Sequence, residues 1–204
     1  MKRLLTIGLS VALATLMSVS FAQHGHEEDI HLGVASGSAV VVEPEELAEP
    51  PYTMERMFEE LLPGLFGVDQ GWDFHIEAGM THPLLRRVTI QQVFISDGLF
   101  GVIEGQTDPI FGPGLPGTWT LEWDDNDPDA VHQHIIFASN ILPDEDNPLL
   151  FKFRLVNALD WNGNSLPDSG VVYTLEFVPE PASLTALGIG LGGLLLRRRR
   201  YPTL

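Results

Sequence analysis

His132 and His134 flank one residue in the run Val131–Ala138, which alternates as a strand does. Residues two apart on a strand project from one face, so both imidazoles can reach a single divalent ion. His75 lies between Asp73 and Glu77, which share its face in the alternating segment Trp72–Glu77. It offers a third point of attachment if that strand lies beside the other. A further group, His24-Gly25-His26-Glu27-Glu28-Asp29-Ile30-His31, brings His24, His26, Asp29 and His31 close together in the chain. Imidazole and carboxylate without thiolate is a zinc or copper donor set, and zinc is the first expectation. The same residues also fit histidines on a solvated strand face and, for the earliest group, a polar tail.

Calcium stands behind zinc. Asp125-Asn126-Asp127-Pro128-Asp129 alternates oxygen ligands, but Ala130 stands where an EF-hand loop needs glycine and Ile136 where it needs the bidentate glutamate. Asp160-Trp161-Asn162-Gly163-Asn164, followed by Asp168, alternates oxygens too, yet reads first as a turn built on Asn-Gly.

Catalytic signatures are missing. The chain has no Gly-x-Ser-x-Gly elbow, no His-Glu-x-x-His pair, no phosphate loop and no cysteine nucleophile, so no enzyme is expected. Trp161, in a polar loop, is suited to stack on a sugar ring, while Trp72, Trp119 and Trp123 read as core.

Composition narrows the partners. Between Gln23 and Phe177 stand only five basic residues, Arg56, Arg86, Arg87, Lys152 and Arg154, against every acid of the chain but Glu180. So acidic a body repels nucleic-acid phosphates and anionic lipid headgroups, which excludes both as partners of the body and favours cations. The chain contains no cysteine, so neither disulfides nor thiolate metal sites hold it together.

The elements that must position these groups are mostly strands. Gly33–Val42 reads as a first strand, ahead of an acidic, proline-broken loop at Glu43–Pro51. Tyr52–Leu62 carries good helix formers with Met54, Met57, Phe58, Leu61 and Leu62 at spacings of three and four, which predicts one short helix. Strands are predicted at Trp72–Glu77, Arg86–Ile95, Leu99–Glu104, Gly117–Trp123, Val131–Ala138, Leu149–Ala158 and Val171–Val178, each bounded by Gly, Pro, Asn or Asp. The expected fold is mainly β: a single antiparallel β-sandwich or jelly-roll domain over residues 23–178, with one short helix.

The two ends carry transport information. Residues 1–22 open with Lys2 and Arg3, run apolar from Leu4 to Val19, and close on Ser20-Phe21-Ala22, which is the order of a cleaved secretory signal peptide. Residues 179–204 begin with Pro179-Glu180-Pro181, continue through the apolar stretch 184–196, and reach Arg197-Arg198-Arg199-Arg200. A helix from Pro181 to Leu196 would be ~24 Å long, a marginal span for a ~30 Å hydrocarbon core, with its arginines on the cytoplasmic side.

This ending resembles the PEP-CTERM sorting signal, in which a Pro-Glu-Pro motif, a transmembrane helix and an arginine cluster terminate a protein processed by an exosortase. The resemblance implies export from a Gram-negative cell, the exosortase and the export machinery as partners, and transient anchoring in the inner membrane through residues 184–196. Delivery to the cell surface or extracellular matrix, with exopolysaccharide as a neighbour, would follow. The His-x-His-x-x-Asp-Ile start at His24–Ile30 is similar to a group of PEP-CTERM proteins repressed by the zinc uptake regulator, which implies zinc handling outside the cytoplasm. The function expected is that of a surface or matrix protein that binds a divalent metal, with a carbohydrate-binding or purely structural sandwich as the alternative.

Overall fold

The computed structural model describes residues 29–34, 39–42, 52–75, 83–124, 132–144 and 146–179. The expected signal peptide, His24, His26, the loop around Asp125–Asp129 and the sorting segment from Glu180 onward lie outside the described residues.

Among the described residues ten strands form in chain order: β1 (Ile30–Val34), β2 (Val40–Val42), β3 (Thr53–Leu62), β4 (Leu65–Phe74), β5 (Leu85–Ile95), β6 (Leu99–Ile103), β7 (Thr118–Glu122), β8 (Gln133–Ser139), β9 (Leu149–Asp160) and β10 (Tyr173–Pro179). The mainly β expectation holds, and the described residues contain no helix. The strands join one hydrogen-bonded sheet in the order β2-β1-β4-β3-β10-β9-β5-β7, with β8 added beside β4 and β6 beside β8. The sheet is mixed rather than antiparallel, because β1 pairs with β4, and β3 with β10, in parallel.

The predicted helix at Tyr52–Leu62 is instead strand β3. Its first part pairs with β10 from Thr53↔Thr174 to Phe58↔Pro179, and its last residues turn through Pro63-Gly64 to pair with β4 at Glu59↔Gly67 and Glu60↔Phe66. Gly64 takes a φ of 76°, and its N–H donates to Glu60 Oε1 at 3.0 Å. Met54 and Phe58 are buried while Met57 is 48% exposed, a period-two pattern that the spacing of good helix formers conceals. Between them Arg56 donates from Nε to Gln70 Oε1. Two partner strands satisfy the β3 backbone, which outweighs a preference of only tenths of a kcal/mol per residue.

The first strand expected at Gly33–Val42 is a pair, β1 and β2, in antiparallel register at Leu32↔Val42. The strand expected from Trp72 begins seven residues earlier, at Leu65. The other predicted strands match β5 to β10 within a few residues.

Rings from β4 and β8 fill the interior against rings from β7, β9 and β10, strands to which they are not hydrogen-bonded. Phe137 meets Phe151 at 5.0 Å and Phe177 at 5.1 Å between ring centroids, and Phe58 meets Phe177 at 4.8 Å. The sheet therefore doubles back on itself, with Phe137, Phe151, Phe153 and Phe177 wholly buried. Burial of each such side chain stabilises by ~1.5–3 kcal/mol. Trp72, also wholly buried, finds no acceptor for its indole N–H among the described residues. That omission costs ~1–3 kcal/mol. The penalty is offset by edge-to-face contacts with Trp119 at 5.9 Å and Phe153 at 5.3 Å, each worth ~0.5–1.5 kcal/mol.

Candidate metal-binding face

Because side chains alternate along a strand, burying Gln70, Trp72 and Phe74 of β4 turns Asp69, Gly71 and Asp73 outward. Burying Ile135 and Phe137 of β8 turns His134 outward in the same way, and burying Ile30 and Leu32 of β1 turns Asp29 and His31 outward. Register then sets the rows. His134 pairs with Gly71, so His132 comes level with Asp73. On the other edge of β4, His31 pairs with Asp73, and Asp29 comes level with Gly71.

Gly71 is the blank centre of this array. The Asp29 carboxylate occupies the space a side chain at 71 would take, and a Cβ there would stand 2.7 Å from Asp29 Cγ. Freed to lie across β4, Asp29 places Oδ2 3.7 Å from His132 Nδ1, and Asp73 places Oδ2 3.6 Å from the same nitrogen. Behind them, His132 Nε2 and His134 Nε2 are 2.9 Å apart, and His134 Nδ1 is 2.9 Å from Asp69 Oδ1.

Ionised Asp69 accepts from His134 Nδ1–H, and a single proton links the two facing Nε2 atoms. On its other edge His132 Nδ1 has the carboxylates of Asp29 and Asp73 beside it. One ring nitrogen and two carboxylates are thus brought together. Their N···O separations exceed hydrogen-bond length. Two donors on one tetrahedral zinc stand ~3.3 Å apart, so these separations are a few tenths of an ångström wider than a closed site. Among the described residues, no group of three or more His, Asp or Glu side chains is close enough together to hold a metal ion.

The candidate ligands thus separate. Asp29, His132 and His134 come together, and His31 lies level with Asp73 on the same face. His75 follows the end of β4, exposed, its backbone N–H donating to Leu32 O at 2.9 Å. Asp69 and Asp73 belong to the array although the sequence reading gave neither of them a ligand role. The signal for both is the alternation Asp69, Gly71, Asp73, His75, visible once β4 is known to begin at Leu65.

The other loops differ. Asp160 binds within its own turn, Oδ1 accepting from Asn164 N at 2.8 Å and Oδ2 from Asn164 Nδ2 at 2.9 Å, which holds its carboxyl below the usual range. Trp72 and Trp119 are core as expected, but Trp123 is only half-buried and meets Trp161 edge-to-face at 5.9 Å.

No curated protein matches the chain. Residues 177–200 match the PEP-CTERM protein-sorting motif, so the chain carries the sorting signal of an exported protein processed by an exosortase.

Proposed function

We propose that this chain is an exported cell-surface or matrix protein that binds a divalent metal ion, zinc before calcium, through His132 Nδ1, Asp29 and Asp73. The observation that carries the reading is the convergence of His132 Nδ1 with the carboxylates of Asp29 and Asp73 at 3.6–3.7 Å, in front of the linked side chains of His132, His134 and Asp69. Ligating histidines usually donate their other N–H to a fixed acceptor, and here that acceptor is His134, itself held by Asp69. A mixed imidazole and carboxylate set suits zinc better than calcium, which takes six to eight oxygens. His31 stands next to Asp73 in register and is the nearest further donor on the face. His24 and His26 precede Asp29 by five and three residues in the chain, within covalent reach of the same ligands.

On this reading the protein is a binder and not an enzyme, and the doubled-over sheet is a two-layered sandwich with the metal face on its outside. The apolar stretch 184–196 is its transient inner-membrane span. Titration of the full chain in detergent micelles with zinc, calcium and copper, by calorimetry and thermal melting, tests the metal. Zinc affinity of about micromolar or tighter, with a raised melting temperature, is expected. His132→Ala and Asp73→Asn should each weaken binding more than about tenfold. Zinc affinity unchanged in both variants would refute the site.

Trp123 and Trp161 favour a second reading, as a carbohydrate binder. The half-buried pair sits beside the turn that Asp160 and Asn164 fasten, so Trp161 is held ready for a sugar face. Retention of the full chain on matrix polysaccharide, reduced in Trp161→Ala and unaffected by chelator, would support it over the metal reading.

A further inference from the structure

The exposed apolar residues are unevenly placed. Of the six large hydrophobic side chains exposed among the described residues, five lie toward the end of the sheet from which β10 leaves for the sorting segment. Ile141 and Leu142, 48% and 52% exposed, begin the connection from β8 to β9. Ile141 reaches across to the turn between β5 and β6, where its Cδ1 would stand 2.8 Å from a Cβ at Gly98. Val93 and Phe94 lie just before that turn, and Met57 is paired in register with Val178, next to the last residue of β10. Only Val172 is elsewhere, before the start of β10.

Covalent geometry limits how far this end can stand from a membrane. Five peptide steps separate Pro179 from Leu184, the first residue of the apolar stretch. At ~3.3–3.6 Å per residue they span at most ~18 Å. We infer that the rim formed by Met57, Val93, Phe94, Ile141 and Leu142 docks on the lipid surface while the sorting segment anchors the chain, an inference that rests on residues 184–196 spanning the bilayer. The tether raises the local concentration of the rim at the interface, so side chains that would bind lipid weakly alone need only a shallow insertion. Lys152, whose Nζ lies 5.9 Å from the Phe94 ring, is placed to reach a headgroup phosphate.

Glu59, Glu60, Asp97, Asp144 and Asp146 occupy the same end. The docking is therefore apolar and weakens as anionic lipid is added. It also orients the body. His132 precedes β8 and Asp29 precedes β1, at the end of β4 remote from the Pro63-Gly64 turn, so the metal-binding face points away from the bilayer. Once the sorting segment is cut, the rim alone holds too little apolar surface to keep the body on the membrane.

The chain has no cysteine, so single labels are simple to place. Leu142→Cys at the rim and Asn162→Cys at the far end of β9, each carrying an environment-sensitive fluorophore on the full chain, are reconstituted into phosphatidylcholine vesicles containing a shallow lipid-borne quencher. Label 142 is expected to be quenched about threefold or more over label 162, and less as phosphatidylglycerol is added. Equal quenching in vesicles that carry the chain on flotation overturns the docking alone. A chain that fails to float overturns the span and the docking together. Concentration-dependent shielding of label 142 in quencher-free detergent would show that the rim joins two copies, and would overturn the lipid assignment.

Discussion

The carboxylate of Asp29 lies against the backbone of Gly71, in the space a Cβ at that position would fill. A glycine at the middle of a strand is a packing loss of roughly 0.5–1 kcal/mol unless something uses the gap. Here the gap lets Asp29 of one strand approach His132 of another, two strands away, across β4. Gly71→Ala should therefore displace Asp29 and lower zinc affinity about tenfold. Calorimetry against zinc, with circular dichroism to establish that the β signal persists, separates that loss from unfolding.

Asp69 touches no proposed metal position but lies 2.9 Å from His134 Nδ1, where, on the proposed reading, it fixes the His134 tautomer. Asp69→Asn presents an amide that can offer either a donor or an acceptor, so the proton order is no longer enforced. Zinc affinity should fall by about 10–100-fold, while Asp69→Glu recovers part of it. A loss seen only in the thermal melt, with affinity intact, would reduce Asp69 to a structural role.

The turn after β9 provides a pH test. Hydrogen bonds from the side chain and backbone of Asn164 depress the Asp160 carboxyl below its ordinary value of 3.8. A depressed carboxyl contributes stability above its unfolded value, and the contribution disappears as pH falls through the lower folded value. The melting-temperature difference between the parent chain and Asn164→Ala should therefore be present at pH 7 and shrink below about pH 4. A difference that grows on acidification contradicts the assignment.

Adjacent residues of β3 distinguish strand from helix. Phe58 is 2% exposed and packs at a tilt against Phe177, whereas Met57 points outward at 48%. Phe58→Ala should cost about 3–5 kcal/mol in denaturant unfolding. Met57→Ala should stay within about 0.5 kcal/mol. On an amphipathic helix both would face the core and both would be costly.

The same strand shows where the sequence was legible. Alternation over Gly117–Trp123 and Leu149–Ala158 marks β7 and β9 because one face of each is packed with Val, Ile, Leu, Phe or Trp. In β3 the inward positions include Arg56, and in β4 they include Gln70; the two bond to each other inside the sheet. A polar pair at core positions erases the apolar period on both strands, so β3 read as a helix and β4 was shortened. That shortening hid Asp69 from the candidate site. His132 and His134 were legible because their spacing alone places them on one face. Asp29 was legible as a donor in its cluster, but its path over Gly71 depends on the parallel pairing of β1 with β4, which no local pattern encodes.

The proposed metal site turns on one atom, which imidazole 15N NMR of the full chain in micelles, titrated with zinc, reads directly. Zinc is expected to shift His132 Nδ1 to a metal-bound position while His132 Nε2 keeps its proton and His134 Nδ1 remains hydrogen-bonded to Asp69. Spectra in which zinc binds both Nε2 atoms, or leaves all four ring nitrogens of His132 and His134 unmoved, would contradict it.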